Sequence, residues 1–166
     1  MTPINLGVLT ISTKGAHGQR EDTSGRVIRD LLASPKYALR QYAIVSDEIP
    51  QIRAQLIQWV DQHALDFIVT TGGTGLTPRD VTPEATRGVL HWEIPGIPEA
   101  MRFETLRHTP MAMLSRSVAG VRGQCLIVNL PGNPKGVCEC LEVILPVVTH
   151  ALEMIRGESV RNPHNE

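Results

Sequence analysis

One stretch, residues 70–86, constrains this chain more than any other. It reads TTGGTGLTPRDVTPEAT. An apolar run, residues 65–69 (LDFIV), precedes it. That run is short, partly β-branched and ends at glycines, which predicts a buried strand. Gly72, Gly73, Thr74 and Gly75 follow, able to bend sharply and present backbone N–H groups. Pro78, Arg79 and Asp80 then set a rigid turn, a cation and an anion side by side. Thr82, Pro83 and Glu84 read as a helix start: an N-cap hydroxyl, a proline at the first helical position and an acid in the first turn. A strand, a glycine bend and a helix N-terminus in succession can hold an anion. A tight βα turn would explain GGTG equally well. The Arg79–Asp80 pair, which a mere turn does not need, favours a site.

The rest of the chain supplies the sheet around this bend. Ile4–Ile11 is aliphatic and predicts a first strand, followed by a polar loop with Ser12, Lys14, Arg20 and Asp22. Such a loop is by default solvated. In a doubly wound sheet, however, ligands sit beyond the carboxyl ends of strands, which makes Ser12 and Lys14 candidate phosphate contacts. Asp22, Thr23 and Ser24 can cap a helix over residues 24–33, with Val27, Ile28, Leu31 and Leu32 on its apolar face. Tyr37–Val45 reads as a second strand, and Pro50 opens a helix whose inner stripe is Ile52, Leu56, Trp59 and Val60. Asp47, between that strand and helix, is locally explained as a charge favoured by the helix dipole.

A short helix is expected over residues 82–90, a loop over 92–98 and a helix over 98–108. Residues 117–121 and Cys125–Leu130 predict a hairpin turning at Arg122 and Gly123. Pro131, Gly132, Asn133 and Pro134 then repeat the strand, glycine bend and helix-cap pattern. A helix over 134–145 should stop at Pro146, and a last one should cover 147–155. Alternating βα units with one antiparallel excursion predict a three-layer α/β/α fold, its sheet mostly parallel with an appended β-hairpin. At 166 residues the chain is long enough for one full core, read as a single domain over 1–157 with a polar tail over 158–166.

Composition narrows the function. A net charge of −1 lacks the basic excess of a nucleic-acid binder. No apolar run is long enough to span a membrane, and the N-terminus lacks a secretory pattern, so a cytoplasmic protein is expected. Cys125, Cys138 and Cys140 show no disulfide framework. The six histidines have no metal-ligand spacing.

Taken as a set, TTGGTGLTPRDVTPEAT, AMLSRSVAGVRG and LIVNLPGNPKGVCECLE resemble the molybdenum-cofactor biosynthesis domain. That family includes bacterial MogA and MoaB proteins and gephyrin. The resemblance runs from the first strand to the last helix. It implies a homotrimer that transfers AMP from ATP to molybdopterin, with Mg²⁺ and release of pyrophosphate. It implies that Gly72, Gly73, Thr74 and Gly75 bind nucleotide phosphates. It implies that Asp80 serves metal and catalysis, with Asp47 as the second acid, against the local reading of that residue. Ser115 and Pro131, Gly132 and Asn133 would lie in the pterin pocket, with Arg116 a further candidate for the phosphate. Gly136 departs from the family pattern at a position where a side chain is more usual. A MoeA-type molybdenum insertase is the implied downstream partner. The alternative of another class is a molybdopterin-binding scaffold without catalysis, as in some MoaB-type members.

Overall fold

The structure, a computed structural model, describes residues 2–158. All but the first residue of the expected polar tail therefore lies outside the described residues. Six strands form one sheet: β1 (Ile4–Ile11), β2 (Tyr37–Val45), β3 (Phe67–Thr71), β4 (Trp92–Glu93), β5 (Ala119–Arg122) and β6 (Cys125–Leu130), in the order β2-β1-β3-β6-β5-β4. β1 pairs in parallel with β2 and β3, and β3 with β6. β5 returns antiparallel on β6, and β4 on β5.

Side-chain alternation explains the three layers. Leu6, Val8, Phe67, Val69, Leu126 and Val128 face one side, where Ile28 of α2 (Thr23–Leu31), Met101 of α5 (Gly96–Thr105) and Leu141 and Ile144 of α6 (Pro134–Ile155) cover them. Leu9, Ile11, Ile68 and Ile127 face the other side, under Ile52, Leu56 and Trp59 of α3 (Ile49–Asp61) and Ala85 of α4 (Thr82–Arg87). A short α1 (Thr13–Ala16) follows β1. One polar side chain crosses the core. Asn129 Nδ2 donates to Thr70 Oγ1 and Thr86 Oγ1, both at 3.0 Å, and its Oδ1 accepts from Val118 N at 3.2 Å. Every polar atom of this buried amide is engaged, so it fixes β6 against β3 and α4 without an unpaired-group penalty.

Several local expectations are corrected. Pro146 does not end a helix; α6 runs through it for 22 residues. Pro146 lies on the exposed side, so the carbonyl its missing N–H frees can turn to water, while Ile144, Val148 and Leu152 stay buried on the inner side. The expected loop at 92–98 contains β4, whose residues pair with Val121 and Gly120. α5 starts two residues earlier than expected and ends at Thr105. Thr82 is not an N-cap; Val81 holds that position, and the Thr82 hydroxyl turns back to the glycine bend.

Register places the loops that matter. Thr10 of β1 lies opposite Thr71 of β3, and Thr71 opposite Leu130 of β6. The three strands therefore end level, and the segments after Ile11, Thr71 and Leu130 meet at one carboxyl edge. The chain reverses its winding direction at β1 and β3, where ligands of open α/β sheets bind.

Gly72 makes that meeting possible. Its φ is +97°, and a Cβ there would sit 2.4 Å from the Ile11 carbonyl oxygen. Gly72→Ala should therefore cost about 1–3 kcal/mol by urea denaturation. Gly18→Ala, at φ +69° with nothing within 4 Å of the added atom, should cost about 1 kcal/mol. Equal losses would show that the approach to Ile11 is unimportant.

Candidate functional site

The three strand ends pack on one another through glycine and hydroxyl. A Cβ on Gly132 would meet Gly72 Cα at 3.3 Å, and one on Gly73 (φ +67°) would meet Thr82 Oγ1 at 2.3 Å. Hydroxyls bind the loop carbonyls. Thr82 Oγ1 donates to Gly72 O at 2.9 Å, Thr71 Oγ1 to Pro131 O at 2.7 Å, and Ser24 Oγ to Gly132 O at 2.8 Å. The amides are treated differently. Gly72 N donates to Leu130 O at 3.4 Å, so it continues the sheet rather than serving a ligand. The N–H groups of Gly73, Thr74 and Gly75 have no protein acceptor among the described residues. Unspent amides on a fixed bend are what an anionic ligand requires.

Arg116 braces the bend and is not a free cation for a phosphate. Its Nε donates to Gly75 O at 2.7 Å and its Nη2 to Asp80 O at 2.5 Å, while Nη1 pairs with the Glu84 carboxylate. Its backbone N–H donates to Thr74 O at 3.0 Å. Partial burial works against the charge on Glu84, but the Arg116 hydrogen bond, a backbone hydrogen bond and the charges of Arg116 and Arg87 together outweigh it and hold the carboxyl below its ordinary range.

Both expected acids are held by one oxygen. Asp80 Oδ2 accepts from Thr77 N at 2.8 Å and Thr77 Oγ1 at 2.7 Å, closing the turn at 77–80. Asp47 Oδ2 accepts from Thr13 N and Thr13 Oγ1, both at 2.8 Å, and so ties the end of β2 to the start of α1. Asp80 Oδ1 and Asp47 Oδ1 have no protein partner among the described residues. Ser12 caps α1 by accepting from Gly15 N at 3.0 Å, which leaves its own O–H to donate.

Two cavities flank the bend. One, of about 470 Å³, is walled by Leu76, Met101, Met111 and Leu114 and contains Thr74, Gly75, Asp80, Ser115, Pro131 and Asn133. The other, of about 560 Å³, is polar and contains Ser12, Asp22, Ser24, Asp47, Thr71 and Gly72. Gly73 and Gly132 line both. The candidate residues are thus at one sheet edge but divided, with Asp47 and Asp80 lining different cavities. Lys14 lines neither.

Three residues escaped sequence reasoning. Asp22 reads locally as a helix cap, and it is one: its Oδ1 accepts from Gly25 N at 2.9 Å. Its Oδ2 also accepts from Thr10 Oγ1 at 2.7 Å and Tyr42 O–H at 2.6 Å, which sets the carboxylate in the polar cavity with Asp47. Burial, and then the Asp22 hydrogen bond, push the Tyr42 phenol up to about 12, so it remains a donor. Arg102 of α5 lines the apolar cavity. Its helical pattern contains no signal for that. Gly136 also lines this cavity, and a Cβ there would press on Pro131 Cγ at 2.9 Å.

With that geometry in place, likeness to known proteins is decisive. A family model described as a probable molybdopterin binding domain matches residues 7–150. The chain belongs to this molybdopterin binding domain family. A molybdopterin adenylyltransferase of Helicobacter pylori (strain J99) is 43% identical over 161 residues, covering 95% of this chain and 90% of that protein. A molybdopterin adenylyltransferase of Escherichia coli K12 is 38% identical over 145 residues, covering 86% and 74%. The crystal structure of the molybdopterin biosynthesis enzyme MoaB from Thermus thermophilus superposes with a TM-score of 0.87 at 53% identity, covering 93% of this chain and 97% of that one. The family's α/β fold and the six-stranded sheet agree.

The Arg116–Glu84 pair supplies a pH signature. Its folded pKa is depressed, so its stabilisation is full above the ordinary glutamate value of 4.5 and is lost as pH falls through the depressed value. Glu84 is 44% exposed, so the pair is worth no more than about 1 kcal/mol. Denaturation midpoints measured between pH 6 and about pH 3 should fall less steeply for Glu84→Gln than for the wild type. Parallel curves would remove the pair from the account.

Proposed function

We propose that the chain is a molybdopterin adenylyltransferase: it joins the terminal phosphate of molybdopterin to the AMP of ATP and releases pyrophosphate. The observation that supports this most is the pair of cavities sharing Gly73 and Gly132. A transfer between two phosphorylated substrates needs two binding sites that meet where the phosphates react. The polar cavity suits the nucleotide's charged and hydroxylated parts. The apolar cavity suits a flat pterin, with Ser115, Pro131 and Asn133 at its edge.

The reaction is a displacement at phosphorus. An oxygen of the molybdopterin phosphate bonds to the α-phosphorus, the bond to the bridging oxygen breaks, and pyrophosphate leaves with that electron pair. No protein nucleophile is needed. Negative charge rises on the phosphate oxygens, and fixed donors facing it lower the barrier. The unspent N–H groups of Gly73, Thr74 and Gly75 and the O–H of Ser12 are those donors in this reading. Asp47 in the polar cavity and Asp80 in the apolar one each keep one carboxylate oxygen without a protein partner, so each would supply a single ligand to a Mg²⁺ that takes the rest from phosphate oxygens and water. Bound there, Mg²⁺ would supply neutralisation of charge on the phosphates. Thr13 and Thr77 hold the other oxygen of each acid in place.

Wider expectations belong to this proposal. Phe103, Met111 and Met113 are 73%, 61% and 65% exposed, which supports burial in a homotrimer; sedimentation at the mass of a single 18.2 kDa chain would contradict it. No helix among the described residues is long and apolar enough to cross a membrane, in keeping with a cytoplasmic enzyme. Its adenylylated product would pass to a MoeA-type insertase.

Purified protein with molybdopterin, ATP and Mg²⁺ should release pyrophosphate. Asp80→Asn and Asp47→Asn should each lower that rate at least about 100-fold with little change in melting temperature. Tight molybdopterin binding without turnover in the wild type would instead favour the non-catalytic scaffold.

A further inference from the structure

Arg102 is the one cation among the described residues that lines the apolar cavity. It projects from α5 and is partly buried. Its Nη1 donates to Ser115 O at 3.2 Å and Ser117 O at 3.3 Å. Its Nε and Nη2 have no protein acceptor among the described residues. No carboxylate among the described residues forms an ion pair with it. Neither acid of the same cavity pairs with it among the described residues: Asp80 Oδ2 accepts from Thr77 and its Oδ1 has no protein partner, and Glu139 lies 3.8 Å from Lys135. A guanidinium with spare donors and no counter-ion, in a mostly apolar wall, attracts an anion more strongly than it would in water.

A second feature points to the same place. Asn133 and Gly136, at the start of the 22-residue α6, line the cavity with Arg102. Asn133 Oδ1 accepts from Gly136 N at 2.7 Å, so the cap orients the positive end of a long helix at this wall. Ser115 Oγ donates to Ser117 Oγ at 3.0 Å and keeps the segment that carries both Arg102 acceptors in one conformation. The cation's position is thereby set before any ligand arrives.

We propose that Arg102 binds the phosphate of molybdopterin and makes the apolar cavity selective for the phosphorylated pterin over its dephospho form. The inference rests on the apolar cavity being the molybdopterin site. Arg116, whose donors are spent on Gly75, Asp80 and Glu84, cannot take this role. Arg102 selects and positions the nucleophilic phosphate, while Asp47 and Gly72 line the cavity of the other reactant.

The test is a binding comparison without ATP, using molybdopterin and dephospho-molybdopterin on the wild type, Arg102→Gln and Arg102→Lys. Gln keeps a polar side chain and removes the charge. The wild type should bind the phosphorylated form at least about tenfold more tightly. Arg102→Gln should bind both forms alike, at the wild type's dephospho level, and Arg102→Lys should retain part of the preference. Purely structural damage would weaken both forms equally and leave the preference intact. An unchanged preference in Arg102→Gln overturns the role of Arg102. Failure of the wild type to bind either form overturns the molybdopterin reading itself.

Discussion

The fold and the site both depend on the contact of a bare glycine backbone with the neighbouring strand end. Gly72 turns at φ +97° beneath the Ile11 carbonyl, and Gly132 abuts its Cα. Parallel strands that end level bring three chain exits into one small area. Side chains on Gly72 or Gly132 would push those exits apart. With glycine there, β1, β3 and β6 can each hand over to a different loop while their backbones remain close.

Hydrogen bonding then sorts the polar groups of this seam. Thr71, Thr82 and Ser24 give their hydroxyls to loop carbonyls, so the acceptors are satisfied inside the protein. Amides at Gly73, Thr74 and Gly75 are left over. Arg116 holds the far end of the bend by two carbonyls and a carboxylate, which keeps those amides in place. Asn129 performs the same task one layer deeper, linking β6, β3 and α4. A surface rich in donors is thus backed by loop carbonyls and a core amide that are paired inside the protein, and an anion meets little reorganisation on arrival.

Much of this architecture was legible in the chain. Strands β1, β2 and β6 declare themselves by aliphatic runs, and both glycine bends are visible as strand, glycine and helix start. Local chemistry misled where tertiary context decided. Thr82 reads as a cap, yet its hydroxyl is taken by Gly72; Pro146 reads as a stop, yet it sits on the solvent side of a well-packed helix. Asp22 and Arg102 were missed for another reason. Each has an adequate local role, and its cavity exposure follows from partners that sequence spacing cannot show: Tyr42 lies 20 residues from Asp22, and Ser115 lies 13 from Arg102. The division of Asp47 and Asp80 between two cavities is likewise a product of strand order.

That division is the central claim: two substrates occupy two cavities at once and meet at Gly73 and Gly132. Calorimetric titration of a non-hydrolysable ATP analogue into protein saturated with molybdopterin tests it most directly. The account predicts one analogue bound per chain, with molybdopterin retained and the affinity no weaker than for the protein alone. Displacement of molybdopterin by the analogue would contradict it, because a single shared pocket would then serve both ligands.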